Sequence, residues 1–233
     1  MSATIEKTVT ALEAQGLTAG YGARAVVHDV NLTVAPGEVV TLLGANGAGK
    51  TTTMLALCGE LPLHAGTVSF LGQPTTAPLH RRARLGFGYL ADDRSVIRGL
   101  TAADNLRAGG CATEDVLAMF PELTERLSVR AGLLSGGEQQ MLAVGRALAR
   151  RPRVLLVDEL SMGLGPKVVD RLLAAVRRAA SEDGMGVLLV EQHVRKVLQY
   201  ADRAYVMRRG RIVLESGAAQ ARSRIDEIER AYL

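Results

Sequence analysis

Short apolar runs separated by helix-like patterns organise this chain. Val39 to Leu43, Leu85 to Leu90, Val154 to Val157 and Val187 to Val190 are continuous rather than alternating. That character suits strands of a parallel sheet covered on both faces. Between them, Lys50 to Cys58, Glu138 to Arg150 and Lys167 to Ser181 read as helices. Strands alternating with helices predict an α/β fold. The stretch from about Ser95 to Leu134 offers helix starts but no strand. Thr101 precedes Ala102-Ala103-Asp104 in a capping pattern, and Thr113 opens a helix that Pro121 should end. It reads as a small helical insertion in the α/β core. After Val190 the pattern predicts a helix over Arg195 to Ala201. Ala204 to Met207 and Arg211 to Leu214 then flank Arg208-Arg209-Gly210 as a β-hairpin.

Composition narrows the class. The 233 residues, 48% hydrophobic, can bury a sizeable core in one domain, with or without an attached subdomain. Trp is absent, so the core falls to Val, Leu, Ile and Ala. The net charge of +4 is mild. Arg146, Arg150, Arg151 and Arg153, and again Arg208, Arg209 and Arg211, read as a solvated helix end and a turn. A nucleic-acid face needs a longer basic stripe with aromatics to stack on, so no nucleic-acid partner is expected. Cys58 and Cys111 lack metal-like spacing, and Cys58 reads as a small core residue. Their number excludes a disulfide framework, which suits a reducing cytosol. Met1 to Ala11 has no apolar signal-peptide segment, and no apolar run approaches the ~18 to 20 residues of a membrane span. If the protein works at a membrane, something else crosses it.

The chemistry begins at Gly44-Ala45-Asn46-Gly47-Ala48-Gly49-Lys50-Thr51, which fits G-x-x-x-x-G-K-[ST] between an apolar strand and a helix. Glycines let backbone N–H groups converge on phosphate oxygens, and the helix N-terminus adds a favourable dipole. Lys50 supplies charge for the β and γ phosphates, and the Thr51 hydroxyl is placed to ligate Mg²⁺. Each charge-assisted hydrogen bond returns about 1.5 to 3 kcal/mol, so four or five reach the ~8 kcal/mol of micromolar binding after entropy losses. The plainer alternative is a glycine-rich turn joining strand to helix. Val154 to Glu159 is an apolar strand ending in two carboxylates, on the sheet edge where ligands of open α/β folds sit. Asp158 can hold Mg²⁺ through water and Glu159 can polarise an attacking water. An ordinary acidic turn is the alternative there. Leu134-Ser135-Gly136-Gly137-Glu138-Gln139-Gln140 has the S-x-x-E spacing of a capping box, yet a helix start need not carry two consecutive glycines. Both readings can hold, because a capped helix N-terminus is itself an anion site.

L-S-G-G-E-Q-Q between a phosphate loop and an apolar D-E strand resembles the signature of ATP-binding cassette ATPases, over about Leu12 to Leu233. The resemblance implies a P-loop NTPase with a mixed-sheet α/β core, N-terminal antiparallel β strands and a helical subdomain near residues 90–150. Residues 1–233 are expected to form a single nucleotide-binding domain. Two cassettes would pair head to tail, each signature facing the γ-phosphate held by the other's loop. ATP would then contact Tyr21 (stacking on adenine), Gly44, Asn46, Gly47, Ala48, Gly49, Lys50, Thr51 and Thr52. Ser135, Gly136, Gly137 and Glu138 would face the nucleotide of the partner cassette. Lys50, Glu159 and Gln192 would be catalytic, with Thr51, Asp92 and Asp158 around Mg²⁺. Tyr21 also fits a plain turn tyrosine between Gly20 and Gly22.

Finer matches are similar to the branched-chain amino-acid importers, and most to the second of their two different ATPases (LivF type). They are Pro36-Gly37-Glu38, Gly99-Leu100-Thr101 with Asn105-Leu106, and Ser135 to Ala149. Ser161-Met162-Gly163-Leu164, Val190-Glu191-Gln192 and Ala231-Tyr232-Leu233 complete the set. The implied partners are a sister or identical ATPase, membrane-spanning permeases and, indirectly, an extracytoplasmic binding protein. The implied place is the cytoplasmic face of the membrane. Amino acids are the expected solute, with short amides, urea and other small polar solutes left open.

Some positions depart from the general cassette pattern. Asp92 stands where a Gln or Glu is usual. Gln192 rather than His193 aligns with the switch histidine and is taken as the γ-phosphate sensor. Leu160 replaces a common proline, and Gly165 a common aspartate. Three other readings fit the sequence less well. A regulatory cassette that scarcely hydrolyses would lack the carboxylate present at Glu159. A soluble cassette protein of translation or DNA repair would carry two cassettes or long insertions. A P-loop kinase would lack Ser135 to Gln140.

Overall fold

A computed structural model of the chain describes residues 10–93, 95–191, 194–223 and 225. Chain order starts with β1 (Leu12–Tyr21) and β2 (Arg24–Val34), an antiparallel pair, and then β3 (Val39–Leu43) and α1 (Lys50–Cys58). β4 (Leu63–Phe70) and β5 (Gln73–Pro74) follow, before α2 (Leu79–Ala83) and β6 (Phe87–Leu90). Next come α3 (Ala102–Ala108), α4 (Thr113–Met119) and α5 (Gly136–Ala149), with 3-10 turns at Pro121–Arg126 and Ala131–Leu133. β7 (Val154–Asp158), α6 (Pro166–Asp183), β8 (Gly186–Val190) and α7 (Val194–Val197) continue the α/β alternation. β9 (Arg203–Arg208), β10 (Arg211–Gly217) and α8 (Ala218–Ser223) end the described elements.

Two sheets result. β2-β1-β4-β5 is antiparallel, and β10-β9-β3-β8-β7-β6 is mixed. β3 lies inside the mixed sheet, parallel to β8 on one side and β9 on the other. β3, β7 and β8 are buried along their whole length, as their uninterrupted apolar runs require. Their side chains still alternate between two cores. Val40, Leu42, Val154 and Leu156 face the core shared with the antiparallel sheet and α1. Val39, Leu43, Leu155 and Val157 face the core shared with α3 to α6. Burying each such Leu or Val contributes about 1.5 to 3 kcal/mol, so the central sheet is the stable platform on which the loops are mounted.

Register then places the chemistry. In the parallel β6–β7–β8 ladder, Leu90 lies opposite Val157 and Asp158 opposite Val190. The turn carrying Asp92, the acidic pair and the end of β8 therefore share one edge of the sheet, the one onto which β3 delivers Gly44.

β3 and α1 match their sequence expectations residue for residue. Other bounds move for physical reasons. The strand expected over Leu85 to Leu90 begins at Phe87, because Leu85 is exposed and the backbone turns at Gly86, whose carbonyl accepts from Arg153 and Val154. α5 begins at Gly136 rather than Glu138, since Ser135 caps it. The helix expected over Arg195 to Ala201 shortens to Val194–Val197 followed by turns. Pro121 does end α4, and its fixed φ also opens a 3-10 turn. The hairpin appears, with Arg209 (φ 48°) and Gly210 (φ 77°) forming the two-residue turn. Among the described residues from Ser95 to Leu134 the one β contact is a bridge between Thr101 and Arg130.

Candidate functional site

Gly44 leaves β3 pressed against β9: a Cβ there would sit 2.4 Å from the Met207 carbonyl oxygen. Gly49 is equally confined, at φ 108° with a built Cβ only 2.6 Å from Val27. No other residue fits either place without moving backbone or core. Inside the loop Ala48 N–H donates to Ala45 O at 3.1 Å, and Gly210 N–H donates to Ala48 O at 2.8 Å. The hairpin tip thus braces the loop. Asn46 and Gly47 remain exposed at its crest, while Ala48, Thr52 and Lys50 are buried.

Lys50 folds back under that crest. Its Nζ donates to Gly44 O at 2.8 Å and Ala45 O at 3.1 Å. Burial lowers its pKa, and the Glu159 and Asp158 carboxylates oppose that drop. A buried ammonium held by loop carbonyls is poised to exchange them for phosphate oxygens, which are stronger, charge-assisted acceptors.

Asp158 ends β7 with 1% of its surface exposed. Its carboxyl is pushed up to about 6 by burial above all, with Glu159 and Asp92 adding to the rise. A hydrogen bond from Thr51 and the charge of Lys50 act the other way. Its Oδ1 is buried without a hydrogen-bond partner. An orphaned carboxylate oxygen is uncomfortable in a protein interior and asks for a cation or an ordered water. Set beside the Thr51 hydroxyl, it fits a hydrated Mg²⁺ in chemistry and position. No cluster of three His, Cys, Asp or Glu ligands exists among the described residues, so such an ion would depend on phosphate oxygens and water as well. Asp92 is exposed on the turn after β6, near enough to influence Asp158.

Glu159, half-buried, adopts φ 49°, and its N–H donates to Val190 O at 3.0 Å. A left-handed non-glycine residue carries roughly 1 to 2 kcal/mol of strain. The strained turn ends the strand direction there, and the Glu159 carboxylate lies close enough to Lys50 to act on its charge.

Tyr21, at the end of β1, is 56% exposed. It lines a hollow of about 420 Å³ together with Arg24, Val26, Gly47 and Arg209. Sequence reading had picked Tyr21 and Gly47 but missed Arg24 and Arg209. Arg209 was visible only as a hairpin-turn residue, since nothing local says that the turn docks on the phosphate loop.

The Ser135 segment sits elsewhere. Ser135 Oγ accepts from Glu138 N–H at 3.3 Å, and Glu138 Oε2 accepts from Ser135 N–H at 2.8 Å, a complete capping box. Arg126 takes the other Glu138 oxygen at 2.7 Å. The hollow at Ser135 shares no lining residue with the one at Tyr21. Ser135 itself is exposed, with Gly136 and Gly137 half-buried beside it. Gln192 and His193, like Ala231 to Leu233, lie outside the described residues.

Comparison with known proteins agrees with this geometry. The family model described as "ABC transporter" matches residues 27–161. The chain is 42% identical to the "High-affinity branched-chain amino acid transport ATP-binding protein BraG" of Pseudomonas aeruginosa, across 85% of this chain and 90% of that protein. It is 36% identical to the "Lipopolysaccharide export system ATP-binding protein LptB" of Escherichia coli K12, across 95% and 96%. A solved "ATP binding subunit of ABC transporter" superposes with a TM-score of 0.82 at 27% identity, covering 96% of this chain and 99% of that one. The chain therefore belongs to the ABC transporter family, as an ATP-binding cassette that hydrolyses ATP.

Proposed function

We propose that this cassette drives an importer for branched-chain or other amino acids, working at the cytoplasmic face of the membrane. The similarity to BraG, higher than that to LptB, carries the choice of solute. No described helix is long and apolar enough to cross a membrane, so permease subunits supply the path. An extracytoplasmic binding protein delivers the solute to them. Their docking surface is assigned to the hollow of about 560 Å³ between β6 and α5, lined by Leu90, Ser95, Ile97 and the arginines Arg84, Arg146 and Arg150. The exposed Arg84 favours an acidic permease segment, while Arg146 and Arg150 are tied to the Ser95 and Gly109 carbonyls and shape the wall, and residues 90–150 form the helical subdomain that receives it.

In the proposed mechanism, Tyr21 stacks on adenine and the Gly44–Thr52 loop wraps the phosphates with its N–H groups. Lys50 Nζ leaves the Gly44 and Ala45 carbonyls for the β and γ phosphates. Thr51 and Asp158 would hold Mg²⁺ when it is bound, with Asp92 on the neighbouring turn adding negative charge beside them. The ion supplies charge neutralisation on the phosphate oxygens. Glu159 orients a water and receives its proton as the water oxygen bonds to the γ-phosphorus. The bond to the β–γ bridging oxygen breaks, releasing ADP and inorganic phosphate. Gln192 reports the γ-phosphate. Ser135, Gly136 and Gly137 act on the nucleotide of a second cassette, while Glu138 holds their turn. The observation supporting that assignment is that the hollow at Ser135 shares no lining residue with the one beside Tyr21 and Gly47.

The test has two arms. Glu159→Gln should retain ATP binding, lose about 10²- to 10⁴-fold in turnover, and accumulate an ATP-bound dimer by size exclusion. Unchanged turnover removes Glu159 from the role. Deleting the gene should abolish uptake of labelled leucine, isoleucine or valine; normal amino-acid uptake with loss of urea or amide uptake would redirect the substrate.

A further inference from the structure

Glu191, the residue after β8, is 2% exposed, and Ser161, two residues past the catalytic Glu159, is 3% exposed. The two side chains meet in the interior. Ser161 N–H donates to Glu191 Oε1 at 3.0 Å and the Ser161 hydroxyl donates to Oε2 at 2.5 Å. One serine therefore engages both oxygens of a buried carboxylate. Taking those bonds away leaves desolvated polar groups unmet, which is the expensive half of any buried hydrogen bond.

The contact has neighbours that give it direction. Glu159 N–H is already tied to Val190 O at 3.0 Å. Two alternate residues of one segment, on either side of buried Leu160, thus grip successive residues of the other. Beyond the grip, Leu164 N–H returns to Ser161 O at 3.2 Å and Met162 is 52% exposed. The turn from Ser161 to Leu164 hangs from Glu191. That anchor adds to the Glu159–Val190 bond in holding the segment that carries the left-handed backbone at Glu159.

We propose that Ser161 and Glu191 are a positioning pair for hydrolysis: Glu191 fixes Ser161, and Ser161 fixes the strained backbone that aims Glu159 and presents the Met162 turn. The inference rests on Glu159 as the residue that orients water. It places neither Ser161 nor Glu191 against the nucleotide, so their loss affects turnover and not binding.

Steady-state hydrolysis at saturating ATP, ATP KM and the ATP-induced melting shift, measured on the full chain, separate the cases. Glu191→Ala should lower kcat at least about 10-fold and keep the melting shift. Ser161→Ala should fall between that variant and wild type. Ser161→Thr, which keeps both donors, should restore most of the turnover. The double alanine variant should be no slower than Glu191→Ala, because the pair acts as a unit. Wild-type kcat in Ser161→Ala overturns the proposal. So does Ser161→Thr falling as far as Ser161→Ala, which would reduce the contact to packing. If Glu191→Ala does not fold, the two serine variants decide by the same criteria. Undiminished turnover in Glu159→Gln overturns the reading of Glu159 as base and the pair with it, whereas wild-type turnover in Ser161→Ala beside an inactive Glu159→Gln overturns the pair alone, so the two failures are distinguishable.

Discussion

The phosphate loop and the Ser135 turn are both glycine-bearing helix N-termini, yet the chain treats them differently. In the loop, glycine is demanded from within: side chains at Gly44 and Gly49 would collide with Met207 and Val27. At the Ser135 turn it is not. A Cβ on Gly137 would meet only Val168 methyls at 3.4 and 3.5 Å, an ordinary contact. The turn caps itself and uses both oxygens of Glu138 internally. A glycine with no reason inside its own chain points to a reason outside it. The first motif is shaped from within its own chain, while the open second one fits the proposed approach to the nucleotide of a second cassette.

That contrast can be broken. Lys50→Ala should erase the ATP-dependent rise in melting temperature, and an unaltered rise would refute the account of the loop. Gly137→Ala should leave that rise intact while hydrolysis falls about 10-fold, a loss of roughly 1.4 kcal/mol in transition-state stabilisation. Equal losses in binding and turnover would mean that both motifs serve one nucleotide. Ser135→Ala should cost about 1 kcal/mol in denaturant unfolding through the lost cap, in addition to its effect on turnover. Gly165, the N-cap of α6, has open space around its Cβ. Gly165→Asp should therefore stabilise the chain by only a few tenths of a kcal/mol, read from the same unfolding curves.

The parts legible in the sequence were those where local pattern and tertiary role coincide. β3 and α1 are a buried strand and a phosphate helix joined by a diagnostic loop, and their limits could be read directly. β1 was harder: its alternation is interrupted at the register shift between Ala14 and Leu17, and small residues dilute its apolar face. The antiparallel sheet was reached through resemblance alone. The hollow at Tyr21 is assembled from β1, the β2 start, the phosphate loop and the β9–β10 turn, so Arg24 and Arg209 carry no local mark. Glu191 was quoted as part of a motif, but only the structure shows that it is buried against Ser161. Burial of a charge is decided by elements far apart in the chain.

The bracing of the loop by Gly210 has a consequence for the order of assembly. β3 emerges early in synthesis, but its two sheet partners, β8 and β9, and the hairpin tip that holds Ala48 all come from the last fifth of the chain. Until then β3 has two open edges, the condition most prone to pairing with the wrong strand. The nucleotide site is thus a late event in folding, and a chain cut short before residue 210 carries the whole phosphate motif without the hairpin tip that braces Ala48.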